Sequence, residues 1–438
     1  MTEIRGRRVF SFLFEEVSGA PLVVFRFAFG IMMFLSTLRF MLNGWVDALY
    51  VQPGFFFTFY GFEWVKPLGQ AGMYTVFAVL LVTSLMVAFG WFYRVSIVSF
   101  FLLFTYVELI DKSNYLNHYY FISVVSFLLC LMPAVSRQTK SVPRWTVLTL
   151  QLQMAVVYFF AGIAKINTDW LLNAMPLKIW LPAKQDIFLL GNFVTEEWAA
   201  YVFSWCGMLF DTLVPFFLFN RKTVWYAYAV VIVFHILTSI LFPFIGVFPF
   251  VMIVCATVFL PEAFHAKILR IIAPQRNIAV RLQAPRKLAY VVPLILALHF
   301  LIQAVLPFRY LLYPDKLFYN EEGFRFSWRV MLMEKAGHVF FHVKDGATGK
   351  IVEVNTHEHL TMQQQKQMST QPDMILQFAH YLRDVYAPTM TQPEVYAEAY
   401  VTVNGRGSRL LIDPTVNLAK EEDNFAHKEW ILAQANTK

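Results

Sequence analysis

Long apolar runs broken by short polar connections fill the chain as far as Leu306. Runs able to span a bilayer cover Pro21–Leu42, Gly72–Phe89, Val95–Ile110, Tyr119–Met132, Trp145–Ile163, Trp198–Leu218, Val224–Leu241, Phe242–Leu260 and Tyr290–Leu306. They predict about nine transmembrane helices, with Pro243 the weakest of the divisions. Two loops exceed what a connection needs. Residues 46–71, with Phe55, Phe56, Phe57 and Trp64, read as interfacial or re-entrant structure, and residues 164–197, with Trp170, Met175, Trp180 and Leu181, as an amphipathic helix in the interface. The pair either roofs a cavity or anchors the protein through an aromatic belt.

Beyond Leu306 the pattern changes to short alternating stretches. Strands are predicted at Phe324–Phe326, Arg329–Met333, His338–Val343 and Lys350–Val354, with a tight turn at Asp345-Gly346. A helix follows over Thr361–Tyr386, and a hairpin turns at Asn404-Gly405 between Val395–Val403 and Arg409–Ile412. The fold class is therefore mainly α: a polytopic helical membrane protein, residues 1–306, carrying a small C-terminal α+β extramembrane domain, residues 307–438.

Composition agrees, since 58% hydrophobic and 15% charged residues are too apolar for an ordinary soluble chain of 438 residues. The net charge of +7 raises the question of an acidic partner. From Pro307 onward fourteen basic residues face sixteen acidic ones, a net of −2, so the membrane part carries +9. That charge lies in loops and supports no nucleic-acid partner; the lipid bilayer is the implied environment.

With the N-terminus inside, the inner segments hold Arg5, Arg7, Arg8, Arg94, Arg137, Lys140, Arg144, Arg221, Lys222, Lys267, Arg270, Arg276, Arg281, Arg286 and Lys287. The outer loops before Pro307 hold only Lys66, Lys112, Lys165, Lys178 and Lys184. Fifteen against five orients the multi-pass chain with its N-terminus inside and its C-terminal domain on the outer face. No cleavable leader is expected. Cys130, Cys206 and Cys255 have neither disulfide nor zinc spacing, and no metal is expected.

Candidate chemistry lies in the polar residues of apolar segments, which are costly there unless paired or facing a cavity. Lys165 ends the run from Trp145 to Ile163, just before Asn167-Thr168-Asp169, which can cap a new helix. Either it snorkels to the headgroups, or it is buried; burial penalises the ammonium, and a neutral amine is a general base. Arg26 and Asp211 are expected to form a structural ion pair, and Arg39 and Glu108 lie toward the outer face. His235 and His299 each sit about eleven residues into a span, about 16 Å by helical rise. Gln303 is one turn beyond His299. These read as packing residues or as a polar pocket beneath Lys165. His118 closes the loop from Asp111, where it either starts a helix or joins the site. His357-Glu358-His359 lacks further ligands, and His338 and His342 share a strand face.

Several segments together resemble the vitamin K-dependent gamma-glutamyl carboxylase family. They are Val24-Phe-Arg-Phe-Ala-Phe-Gly30, Gly90-Trp-Phe-Tyr-Arg94, Asp111-Lys-Ser with Asn117-His118, and Tyr158-Phe-Phe-Ala-Gly-Ile-Ala-Lys165 with Asp169-Trp170. Further on come His235-Ile-Leu-Thr-Ser239, Leu306-Pro307, Phe326-Ser-Trp328 and Asp345-Gly-Ala-Thr-Gly349. They occur in the family's order over nearly the whole chain.

The resemblance implies that Lys165 deprotonates vitamin K hydroquinone, a phylloquinol or menaquinol, and that His118 assists it. Candidate quinol-pocket residues are Tyr158, Asn117, His235, His299 and Gln303, and candidate substrate-binding residues are Trp328 and Arg39. It further implies that O2 oxygenates the quinol to its epoxide and so generates a base strong enough for a glutamyl Cγ–H, which no side chain with a pKa near ~10 could remove. CO2 then adds, giving gamma-carboxyglutamate in a glutamate-containing protein or peptide.

The loop Arg329-Val-Met-Leu-Met-Glu334 departs from the family's histidine-rich pattern. The lumenal region that the animal enzymes use for propeptide recognition is expected to be mostly absent, as in a short bacterial form. Two other readings fit the residues: a quinol oxygenase or epoxidase without carboxylation, and a non-enzymatic membrane protein that binds lipid or peptide.

Overall fold

The computed structural model describes residues 11–135, 141–188, 190–272, 288–314 and 316–432. Of the basic residues counted above, Arg5, Arg7, Arg8, Arg137, Lys140, Arg276, Arg281, Arg286 and Lys287 lie outside the described residues. The bundle is built from α1 (Ala20–Leu42), α2 (Gly69–Phe89), α3 (Tyr93–Ile110), α4 (Asn117–Leu131), α5 (Arg144–Ala164), α6 (Glu197–Phe219), α7 (Val224–Leu241), α8 (Phe248–Ala256), α9 (Glu262–Ile272) and α10 (Leu288–Val305). Among the described residues seven stretches are long and apolar enough to cross a membrane: α1, α2, α3, α5, α6, α7 and Val291–Leu312, which prolongs α10. With apolar residues on every side, each packs one flank against its neighbours and leaves the other for lipid.

Two passes differ from the sequence expectation. α4 has 15 residues. α8 continues as a tight turn to Phe259, and the chain then bends by 114° into α9 at Pro261, a residue that cannot continue the preceding helix. Phe248 at the start of α8 meets His118 at 5.8 Å, and Phe259 meets Phe219 at the last turn of α6 at 5.0 Å. α8 and its turn thus run from the level of His118 to the last turn of α6, and α9 turns across that far end.

At that far end β1 (Glu16–Ser18) pairs antiparallel with β2 (Ser141–Pro143), joining the entries to α1 and α5. Arg26 donates to the carbonyl of Val135 and lies 5.3 Å from the Tyr93 ring centre. Gly90 ends α2 at φ 74°, and a Cβ there would stand 2.7 Å from Arg26 Nη2, so glycine is required both by conformation and by space. The expected pairing of Arg26 with Asp211 is not formed: Asp211 is bound to Lys165.

The C-terminal domain is a four-stranded antiparallel sheet in the order β4-β3-β5-β6, from β3 (Lys335–Asp345), β4 (Ile351–Glu353), β5 (Pro393–Val403) and β6 (Arg409–Leu410). β3 and β5 are in register from Lys335 opposite Val403 to Asp345 opposite Pro393. Alternate residues of β5, Val395, Ala397, Ala399, Val401 and Val403, point inward. They pack on α12 (Pro372–Tyr386) through Met374, Ile375, Phe378 and Leu382.

The predicted helix over Thr361–Tyr386 is two helices, α11 (Met362–Met368) and α12, because Pro372 starts a new one. The strands expected at Phe324–Phe326 and Arg329–Met333 are instead a loop. Nor is the 46–71 loop an interfacial helix beyond the single turn Asp47–Val51. It runs up to the C-terminal domain, where Phe57 is buried in that core and Gln364 Nε2 donates to the Phe55 carbonyl at 2.7 Å.

A charged cluster clamps domain to bundle. Asp373 at the start of α12 pairs with Lys112, between α3 and α4, at 2.8 Å, and with Arg325 at 2.7 Å. Burial alone would raise the Asp373 carboxyl, but Arg325 and Lys112 beside it hold it well below the ordinary carboxylate range. A depressed folded value gives stability that is complete above about pH 4, the unfolded carboxylate's range, and is lost as pH falls from there toward the folded value. The melting temperature in detergent is expected to fall on acidification below about pH 4. Asp373→Asn should make that dependence shallower, and an identical pH slope in both proteins would show that the cluster contributes nothing.

Candidate functional site

Lys165 directly follows the last residue of α5, and its backbone N–H closes the helix on the Gly162 carbonyl at 3.0 Å. Asn167 then caps the short helix Thr168–Leu171 by accepting from Trp170 N at 2.9 Å, the start signal that Asn-Thr-Asp promised. Trp170 is pinned to α6, its Nε1 donating to the Ser204 carbonyl at 2.8 Å while Ser204 Oγ donates to the Trp170 carbonyl.

α5 and α6 cross at close range: a Cβ on Gly162 would stand 2.5 Å from the backbone nitrogen of Thr212. The crossing brings Asp211 level with the end of α5. Lys165 Nζ donates to Asp211 Oδ2 at 2.6 Å and to the Ala161 carbonyl at 3.2 Å, and lies 5.4 Å from the Trp170 ring centre. Lys165 is 6% exposed, so it does not snorkel. The segment over it is not one amphipathic helix but four short turns, Thr168–Leu171, Leu177–Trp180, Pro182–Lys184 and Gly191–Val194. Trp170, Leu177, Leu181 and Val194 from these turns join Ala200, Met208 and Leu241 in a small core that closes over the amine.

Beneath this roof lies a cavity of about 340 Å³, within the range of small-molecule sites. Its walls are mainly apolar and aromatic, with Phe203, Phe234, Phe242 and Phe248, and its polar groups include Lys165, Asp211, Tyr158 and His235. Tyr158 Oη and His235 Nε2 are 2.9 Å apart, while the buried Nδ1 of His235 has no hydrogen-bond partner. Val330 and Met331 complete the wall from the loop between bundle and sheet. That loop holds three non-glycine residues in the left-handed region, Phe326 at φ 63°, Trp328 at 59° and Met331 at 54°, a concentration of backbone strain that packing has to enforce. Trp328 supplies the packing: it is 1% exposed and stacks on Tyr120 at 4.9 Å.

Of the residues singled out in the sequence, the fold therefore brings Lys165, Tyr158 and His235 to one cavity. His118 is buried behind it, 5.8 Å from the Phe248 ring that also meets His235 at 5.8 Å. Asn117 holds the loop, donating to the Arg329 carbonyl at 2.7 Å. His299 pairs with Gln153 Oε1 at 2.8 Å and Gln303 donates to Tyr120 Oη at 2.7 Å, both outside the cavity lining. Trp328 likewise acts as a buried anchor, and Arg39 stands over Trp45 at 5.0 Å, away from these walls. Asp211 and Phe248 are among the lining residues that the sequence does not assign to the site, whereas Trp170 takes the roofing place that its loop allowed. The signal for Asp211 was present, as a second lone charge in the segment following Lys165.

Residues 14–264 match the HTTM domain, and residues 288–437 match the lumenal domain of vitamin K-dependent gamma-carboxylase. The second match takes in the whole described sheet, so the C-terminal domain corresponds to the family's lumenal domain. No solved structure matches the chain.

Removing one member of a buried ion pair leaves an uncompensated charge and costs about 3–5 kcal/mol. Asp211→Ala is expected to lose stability on that scale, and adding Lys165→Met should restore most of it. Thermal unfolding of the two single variants and the double variant checks the coupling; simple additivity would mean that the pair is not formed.

Proposed function

Because the chain belongs to the vitamin K-dependent gamma-carboxylase family, we propose that it carboxylates protein glutamate to gamma-carboxyglutamate, coupled to oxygenation of a vitamin K quinol to its epoxide. The observation that carries this reading is Lys165, buried beside Asp211 and facing an apolar cavity.

The cavity suits a quinol head group. Aromatic walls favour a flat ring, and two polar atoms, Lys165 Nζ and the unpartnered His235 Nδ1, are available to its hydroxyls. When bound, the quinol would supply, with O2, the strong base needed at a glutamyl Cγ–H.

The protein's own residues do the rest. Lys165 passes its ammonium proton along the hydrogen bond to Asp211 Oδ2, 2.6 Å away, and the amine so freed takes the proton of a quinol hydroxyl, which leaves Asp211 neutral and Lys165 charged. Tyr158 fixes the His235 ring through its Nε2, which leaves Nδ1 free to orient the head group. His118 acts from behind Phe248 as a positioning residue. The roof around Trp170 and the loop at Val330 and Met331 exclude water, so that a carbanion meets CO2 before it meets a proton. The C-terminal domain is placed on the outer, periplasmic face of the cell membrane, the orientation that the excess of basic residues in the opposite loops supports.

The test uses purified protein in nanodiscs with reduced vitamin K, O2, labelled bicarbonate and a short glutamate peptide, assaying epoxide and fixed label together. The wild type is expected to give both. Lys165→Ala, at the stability cost given above, should lower both by about 10²-fold or more per folded molecule. Full epoxidation by that variant would remove Lys165 from the proposed role, epoxide without label would favour a quinol oxygenase, and neither product from folded wild type would favour a binding protein.

A further inference from the structure

A second cleft, of about 460 Å³, lies between the bundle and the C-terminal domain on the other side of the Lys165 turn. Phe160, Ile163 and Ala164 of α5 form part of its floor, and Asn167, Asn173 and Arg406 part of its polar wall. The two cavities share their partition: Ala164 lines the cleft and Lys165 the quinol-sized cavity, while Arg329 lines the cleft and Val330 the cavity.

The cleft is built for an anion. Its charged lining is Lys316, Arg329, Arg406 and Asp169, an excess of two positive charges. Asp169 is already committed, binding Arg406 through both oxygens at 2.9 and 2.5 Å and accepting from Asn404 at 2.8 Å. Burial alone would raise its carboxyl, but Arg406 and Asn404 hold it below the ordinary range, so it stays an anion and keeps Arg406 occupied.

Arg329 has no such partner. It is 9% exposed, its guanidinium rests 4.3 Å from the Tyr310 ring centre, its Nε has no hydrogen-bond acceptor, and no carboxylate pairs with it among the described residues. A guanidinium of a buried residue that rests on a tyrosine ring and has no counter-ion among the described residues is costly unless a ligand supplies the anion.

We propose that Arg329 binds the side-chain carboxylate of a glutamyl residue in a peptide lying in this cleft, and that it is the residue by which the protein distinguishes glutamate from glutamine. The inference rests on the reading that peptidyl glutamate is the substrate. A carboxylate paired with Arg329 is brought to the partition whose other side bears Lys165, and its neutralisation lowers the cost of building a further negative charge on the adjoining carbon. The neutral amides of Asn167 and Asn173 suit a peptide backbone. An anionic lipid headgroup is the competing occupant.

Binding is measured without turnover, on the full chain in phosphatidylcholine nanodiscs, with a short peptide carrying one glutamate and its glutamine counterpart. The wild type is expected to prefer the glutamate peptide by about tenfold or more, as a charge-assisted bond allows. Arg329→Gln should abolish the preference and Arg329→Lys restore part of it. Should Arg329→Gln fail to fold, Lys316→Glu on the exposed rim decides, with an expected weakening of about two- to threefold for the glutamate peptide only. An unchanged preference in folded Arg329→Gln, or in Lys316→Glu where that variant decides, overturns the proposal. So does a preference erased by adding phosphatidylglycerol, which would assign the cleft to a headgroup. Because no reaction is required, Arg329-dependent binding by a protein that forms neither epoxide nor fixed label would uphold the site and reject the carboxylase reading.

Discussion

A lysine and an aspartate 2.6 Å apart inside a membrane bundle set the terms for everything around them. Taking two ions out of water costs several kcal/mol each, and their attraction offsets that only where geometry is good and the remaining hydrogen-bonding groups are met. Three features meet that demand. The α5–α6 crossing at Gly162 is close enough to bring the carboxylate level with the helix end, the Ala161 carbonyl takes another ammonium proton, and Trp170 offers its ring face. The roof of short turns follows from the same requirement: without it the pair would be wet and would bind no more tightly than a surface ion pair.

The helices were legible because an apolar run long enough to cross a bilayer has few other fates. Lys165, Tyr158 and His235 were legible for a related reason, as polar groups in segments where polarity is costly. The same signal marked His299 and Gln303, which bond Gln153 and Tyr120 outside the cavity, because sequence shows the cost of a buried polar group but not which groups it meets. Asp211 was misassigned through its depth. Fourteen residues into α6 it would lie about 21 Å from the helix start, near the opposite end of a bundle whose helices begin level. In fact α6 begins far beyond the end of α5, so Asp211 meets Lys165 and not Arg26.

The loop at Phe324–Met333 was misread for a different reason. Its alternation of apolar and polar residues imitates a strand with one buried face. The alternation serves two cavities instead: Trp328 enters the bundle, Arg329 turns to the polar cleft, and Val330 and Met331 turn to the apolar one. Left-handed residues at Phe326, Trp328 and Met331 make those reversals, which no ladder of hydrogen bonds would allow. Period-two patterning reports that successive side chains diverge, and a strained loop achieves this as well as a sheet does.

Trp328 has a consequence for how such proteins can diverge. The sequence divides into a helical part and a sheet part, yet the wall between the two cavities is inserted into the first by the second, with Asn117 of α4 holding the Arg329 carbonyl. A C-terminal domain exchanged between relatives therefore brings with it the partition of the chamber it covers. Recombination at the apparent border would change the interior of the membrane site along with the external surface, so that the two halves are inherited as one functional unit.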